Sequence, residues 1–229
     1  TVFKLLGANH KIVVEAGYEA RYKRVWRRAN ELLGAGAIGA LVAVNALALF
    51  PADPDSWYYR EVESGGMPLT HMTYAFVNPL RMLLGDPLLC TSLANSKRCV
   101  GGAFVDEETC IASFLFPGDV PCSLTASYVC GGSREEEDSW RLQFHGTLGR
   151  LDLFPSDSGG GRLVVTRDQQ AMREDFDGDR PFLRQANAFL TALDGLGRVE
   201  NSPVDSSVDV EIAEAIVHSA KIRQVVGLQ

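Results

Sequence analysis

Apolar positions follow three different periods along this chain. Leu69, Met72, Phe76, Leu80, Leu83 and Leu84 recur at helical spacing between Gly65-Gly66 and Gly85-Asp86-Pro87, with Pro68 where a first turn tolerates it. That pattern predicts a helix within 65–85 with one apolar face. Ile38–Phe50 is the longest apolar run, interrupted only by Asn45 and stopped by Pro51, and reads as a strand buried on both faces. Ser139–His145 alternates strictly, placing Trp140, Leu142 and Phe144 on one face and Arg141, Gln143 and His145 on the other. Thr147–Gly149 then turns into a second strand, Arg150–Phe154. Cys110–Phe116 and Val120–Cys130 form another hairpin through Pro117-Gly118-Asp119, and a further strand runs Arg162–Arg167.

Two helices close the chain. Asp179 is the expected N-cap of the first, Pro181 lies in its opening turn, and Gly195 ends it. Phe182, Ala186, Phe189 and Leu193 give it a single apolar stripe. The last helix directs Val208, Ile212, Ala215, Ile216 and Ile222 inward and keeps Glu214 and His218, four apart, on its wet side. These elements predict an α+β fold: an open, mostly antiparallel sheet with helices packed on one face.

Composition fits a globular domain. With 229 residues, 46% apolar and 22% charged, the chain can bury a substantial core and is not disordered as a whole. The net charge of −7 argues against nucleic acid as a partner, because neutralising phosphates needs clustered positive charge. The basic run Arg21–Arg28 reads as a solvated helix face with Val25 and Leu32 turned inward. No segment approaches the roughly 18 apolar residues that span a bilayer. The cysteines at 90, 99, 110, 122 and 130 show no C-x-x-C spacing, so reduced, buried thiols in a cytoplasmic protein are expected, with no metal. A disulfide between Cys110 and Cys122 across the hairpin stays open. Asp175–Asp179 has alternating carboxylates but no bidentate Glu to follow, so it reads as a turn plus cap. Gly131–Asp138 reads as an exposed loop.

The segment GGMPLTHMTYAFVNPLRMLLG at 65–85 resembles, without a gap, the GGG-x-L-x-D-x-G-x-H-x-x-D-x-x-x-x-L-x-G segment of the Gfo/Idh/MocA oxidoreductases. Ala20-Arg21-Tyr22, the following helix, Gly36-Ala-Ile-Gly39, and His145-Gly-Thr-Leu-Gly-Arg-Leu151 resemble further elements of that family in the same order. The resemblance extends over nearly the whole chain. It implies the family's substrate-binding domain, whose fold is similar to the C-terminal domain of glyceraldehyde-3-phosphate dehydrogenase. Residues 1–16 would be the end of a Rossmann-type domain, and 17–229 the α/β substrate-binding and oligomerisation domain.

Within this resemblance the full-length protein would use NAD or NADP. The chain itself carries no G-x-G-x-x-G after a strand, so no cofactor is expected for it alone. The substrate class implied is a sugar, cyclitol or related polyol. Where the family usually has Asp and His, this chain has His71 and Ala75. Ala75 carries no titratable group, so acid/base chemistry falls to His71 or Tyr74, unless the site only binds or both residues merely pack. Pro79 removes the amide that would bond back to Ala75, which allows a kink there. Arg21, Trp57 and Asn78 are candidates for lining the pocket, Trp57 as an aromatic platform or as a core residue. The resemblance also implies a homo-oligomer formed through the open sheet face. Three readings compete: the substrate domain of an oxidoreductase, a non-catalytic regulatory or binding protein on the same scaffold, and a dimerisation module without a ligand.

Overall fold

The structure, a computed structural model, describes residues 12–49, 75–98, 104–127, 139–156 and 160–228. His71, Tyr74, Trp57, Cys99, Cys130 and the Gly131–Asp138 loop lie outside the described residues. Inside them, a 3₁₀ turn at Glu19–Tyr22 leads into α1 (Arg24–Gly34) and β1 (Leu41–Leu49). After a wide π-type turn at 75–77 come α2 (Asn78–Leu84), β2 (Leu89–Arg98), β3 (Phe104–Phe116) and β4 (Val120–Ser127). Four antiparallel strands follow: β5 (Trp140–Gly146), β6 (Gly149–Pro155), β7 (Gly161–Arg167) and β8 (Gln170–Phe176). The chain closes with α3 (Pro181–Leu193), α4 (Pro203–Ile222) and the short β9 (Val226–Gly227).

The nine strands form one open sheet in the order β8-β7-β6-β5-β1-β4-β3-β2-β9. Only β1 and β4 run parallel; every other pair is antiparallel, as the hairpin pattern predicts. The core lies on one face of this sheet. Val44, Ala46 and Ala48 of β1, Leu124 of β4, Leu142 and Phe144 of β5, and Leu151 and Leu153 of β6 are buried there beneath Trp26 of α1 and Ile212 and Ile216 of α4.

Two of the glycine motifs meet in space. Thr147 and Leu148 donate their amides to the carbonyls of Ala40 (2.9 Å) and Ile38 (2.8 Å), stitching the start of β1 to the β5–β6 turn. Gly39 has a φ of 78°, and a Cβ there would stand 2.4 Å from Thr147 Oγ1. A Cβ on Gly146 would stand 2.2 Å from the Ile38 carbonyl oxygen. Glycine is required at both positions, at Gly39 by conformation and contact and at Gly146 by contact alone.

Several expectations need correction. β1 is buried on one face only: Asn45 and Val42 are exposed, because none of the described residues forms a layer over that face. Cys110 pairs across the hairpin with Ala126, and Cys122 with Phe114, so no disulfide joins them, and Cys90, Cys110 and Cys122 are all reduced. The basic run is not simply solvated, since Arg21 and Lys23 are buried. Lys23 instead stands 3.5 Å from Glu19 and 5.1 Å from the centre of the Trp140 ring. Ile212 and Ile216 point inward as expected, whereas Ile222 is 41% exposed beyond the edge of the core. His218 and Glu214 are both exposed.

The largest departure is α3. Phe182, Leu183, Leu190 and Leu193 are all more than half exposed, while Pro181 and Ala192 turn inward. The helix ends as its glycine predicts: Gly195 is at φ 73°, with Leu196 N–H on the Thr191 carbonyl and Gly195 N–H on that of Ala192. Its proposed cap, Asp179, serves another helix. One carboxylate oxygen accepts the Arg24 amide at 2.9 Å, which caps the first turn of α1. The other accepts the Arg180 amide and the Arg184 guanidinium.

Candidate functional site

The 65–85 pattern places Phe76 and Leu80 inward, and both are fully buried. Regular α-helix begins only at Asn78, immediately before Pro79. A proline cannot donate back to Ala75, so the ladder opens into the wider turn at 75–77 and resumes as α-helix beyond it. Gly85, at φ 83°, closes α2 by donating its amide to the Arg81 carbonyl at 2.9 Å.

Asn78 and Arg81, three apart on one face of α2, enter a buried polar cluster. Arg21 Nε donates to Asn78 Oδ1 at 2.6 Å, joining the 3₁₀ turn to α2. Asn78 Nδ2 donates to Asp209 Oδ2 at 2.6 Å and to Asn201 Oδ1 at 3.3 Å. Arg81 donates to the other Asp209 oxygen at 2.7 Å, to Asp205 Oδ1 at 3.0 Å and to Asp86 at 2.7 Å. Arg21 also reaches Asp205 at 2.7 Å and the Glu200 carbonyl at 2.7 Å. Asn78 and Asp209 are completely buried, and Arg21 and Arg81 nearly so.

Burial at this depth penalises every charge, and the pairing decides the outcome. Asp209 has its carboxyl pushed above the usual range by burial, against the opposing hydrogen bonds from Asn78 and Arg81. Burial likewise works against the Arg81 charge, but Asp209, Asp86 and Asp205 outweigh it and hold the guanidinium protonated. Tyr18 nearby is pushed up to about 12 by burial and by the Asp209 charge, so its phenol stays neutral. Tyr22 donates its hydroxyl to Glu15. The cluster is therefore an ion-paired clamp between the 3₁₀ turn, α2, the loop before α4 and α4 itself.

Of the five candidate site residues, Arg21 and Asn78 are brought into direct contact. His71, Tyr74 and Trp57 fall outside the described residues. Ala75 is buried, with only a methyl group. Arg81, Asn201, Asp205 and Asp209 escape a reading based on apolar periodicity. The available signal is the spacing of α4: Asp205, Asp209, Ile212, Ile216 and Ser219 share one helical face, so the inward stripe starts with two carboxylates. Their partners must be cations or amides.

Residues 26–152 match the model of the GFO/IDH/MocA C-terminal domain, more than half of the chain. The chain belongs to this family. The GFO/IDH/MocA domain also matches solved oxidoreductases over most of its length. Against an aldose–aldose oxidoreductase from Caulobacter crescentus complexed with glycerol the TM-score is 0.80 at 20% identity, covering 94% of this chain and 64% of that one. Against levoglucosan dehydrogenase with NADH and levoglucosan it is 0.80 at 18% identity, covering 96% and 67%. An Agrobacterium radiobacter oxidoreductase in complex with NAD+, L-tartaric acid and magnesium gives 0.73 at 16% identity, covering 95% and 65%. The chain thus spans about two thirds of the length of these proteins. No curated protein matches it in sequence.

A pyrophosphate is held by free amides at a helix N-terminus after a parallel strand. Here the α1 terminus is occupied by the Asp179 carboxylate and that of α4 by Ser202, whose hydroxyl accepts the Asp205 amide at 3.1 Å. Among the described residues no group of three His, Cys, Asp or Glu side chains could hold a metal ion, and no helix is long and apolar enough to cross a membrane.

Proposed function

We propose that this domain is the substrate domain of a cytoplasmic NAD(P)-dependent oxidoreductase acting on a sugar, cyclitol or related polyol. The nucleotide is held by a separate domain of the full-length protein, for which residues 1–16 are the lead-out, and 17–229 carry substrate binding and homo-oligomerisation through the open sheet face. The observation that carries the reading is the Arg21–Asn78 hydrogen bond at 2.6 Å, which joins the two segments that the family resemblance assigns to the site. When bound, the nucleotide supplies or accepts the hydride. The residues of this chain bind and orient the sugar and handle the hydroxyl proton. That proton needs a group that titrates usefully within hydrogen-bond reach, for which His71 and Tyr74 are the candidates. Trp57 offers a flat apolar face to the ring. Arg21 and Asn78, engaged with each other and with α4, back the pocket wall and fix the start of α2.

Ala75 favours a second reading, a regulatory or binding protein that has lost its proton-transfer residue. The natural full-length protein, assayed for NAD(P)H formation across aldoses, cyclitols and polyols, separates the two. Turnover that collapses in His71→Ala or Tyr74→Phe supports catalysis here. Saturable sugar binding without turnover would overturn the enzymatic reading.

A further inference from the structure

A second site, separate in chemistry from the clamp, lies between α1 and α3. It is a groove of about 500 Å³ whose walls include Tyr22, Arg24, Arg27, Arg28, Arg184 and Phe176. The acids in and beside it are all engaged. Glu174 and Glu31 accept from Arg28, at 2.9 Å and 3.0 Å; Glu200 accepts from Arg27 at 2.5 Å; Asp179 accepts from Arg184 and the Arg24 amide. One guanidinium in the groove remains without an acceptor among the described residues. The Arg24 guanidinium is stacked 5.5 Å from the centre of the Phe176 ring, with no carboxylate partner. The Arg27 guanidinium, part-exposed and shared with Glu200, lies 5.3 Å from the centre of the Tyr22 ring, and its buried Nε is out of reach of a ligand in the groove.

Stacking on a ring fixes the plane of a guanidinium and leaves its N–H edge free, the geometry in which arginine takes an oxyanion through paired hydrogen bonds. Arg24 offers only donors, so a ligand that pairs with it is an acceptor. A neutral polyol would add donors as well as acceptors. The geometry points to a binding site for a small organic anion, its carboxylate or phosphate oxygens on Arg24 and Arg27 and its carbon skeleton against Tyr22 and Phe176.

Titration calorimetry of the chain with gluconate, citrate and inorganic phosphate at constant ionic strength, with mannitol as the neutral control, tests this. The expected result is saturable binding of at least one anion at millimolar concentration, weakened about tenfold in Arg24→Gln and in Arg27→Gln, with no mannitol signal. Arg24 is exposed, so its variant folds, which circular dichroism checks. A response to phosphate alone would identify a phosphate group as the ligand, and a response to gluconate or citrate a carboxylate. No saturable anion binding, equal binding of mannitol, or anion binding unchanged in both variants would overturn the site.

Discussion

Helices α3 and α4 follow one another in the chain and both carry an apolar stripe, yet the fold uses them in opposite ways. On α4 the inward face is mixed: Asp209, Ile212, Ala213, Ile216 and Ser219 are buried, and Asp209 is held by Asn78 and Arg81. On α3 the apolar stripe looks outward at both ends, with Phe182 69% and Leu193 51% exposed. Periodicity identifies an apolar face but says nothing about what covers it. A carboxylate inside an apolar stripe says more, because it can be buried only if a cation or amide donor is already in place. The polar residues therefore specify the docking of α4, and among the described residues nothing comparable ties down the stripe of α3.

The largest effect expected from this contrast is at Arg81. Arg81→Leu strands the buried Asp209 carboxylate, and urea unfolding should show a loss of about 3–5 kcal/mol. Next is Asp179→Ala, which uncaps α1 and frees Arg184; a loss of about 1–2 kcal/mol is expected in the same measurement. The equivalent truncation on the other helix, Phe182→Ala, should stay within about 0.5 kcal/mol. A loss several times larger would mean that α3 packs against something in solution, which would remove the contrast.

Smallest in energy is a test of the sheet core. Burial pushes the Cys122 thiol up to about 12 and Cys90 to about 11, so the thiolate that reacts is scarce at both. At pH 8, alkylation mapped by mass spectrometry should leave both unmodified in the native protein and label both in urea. Native labelling would show that this part of the sheet opens.

What could be read from the sequence follows the same division. Both central hairpins and the strands β1 and β7 were legible because turns fix dihedrals and alternation fixes a face: Pro117-Gly118-Asp119 and Thr147–Gly149 leave few alternatives. The strands β2 and β8 were not. β8 (QAMREDF) pairs only with β7 at the sheet edge, and most of its side chains meet water, so no alternation is imposed on it. Of the site, periodicity gave the inward positions Phe76 and Leu80, and the family resemblance gave Arg21 and Asn78. Local sequence marks Asp179 as a cap but points to the adjacent helix, because its actual partner, Arg24, is 155 positions away. Arg81 and Asp209 are 128 positions apart: the stripe of α4 marks Asp209 as inward, but nothing local names its partner.

A double-mutant cycle on Arg81→Leu and Asp209→Leu tests most directly whether the clamp holds α2 to α4. If the pair is the organising contact, each single change is severe, the double change recovers much of the loss, and the coupling reaches about 2–3 kcal/mol. Single losses that simply add, with coupling below about 0.5 kcal/mol, would contradict it.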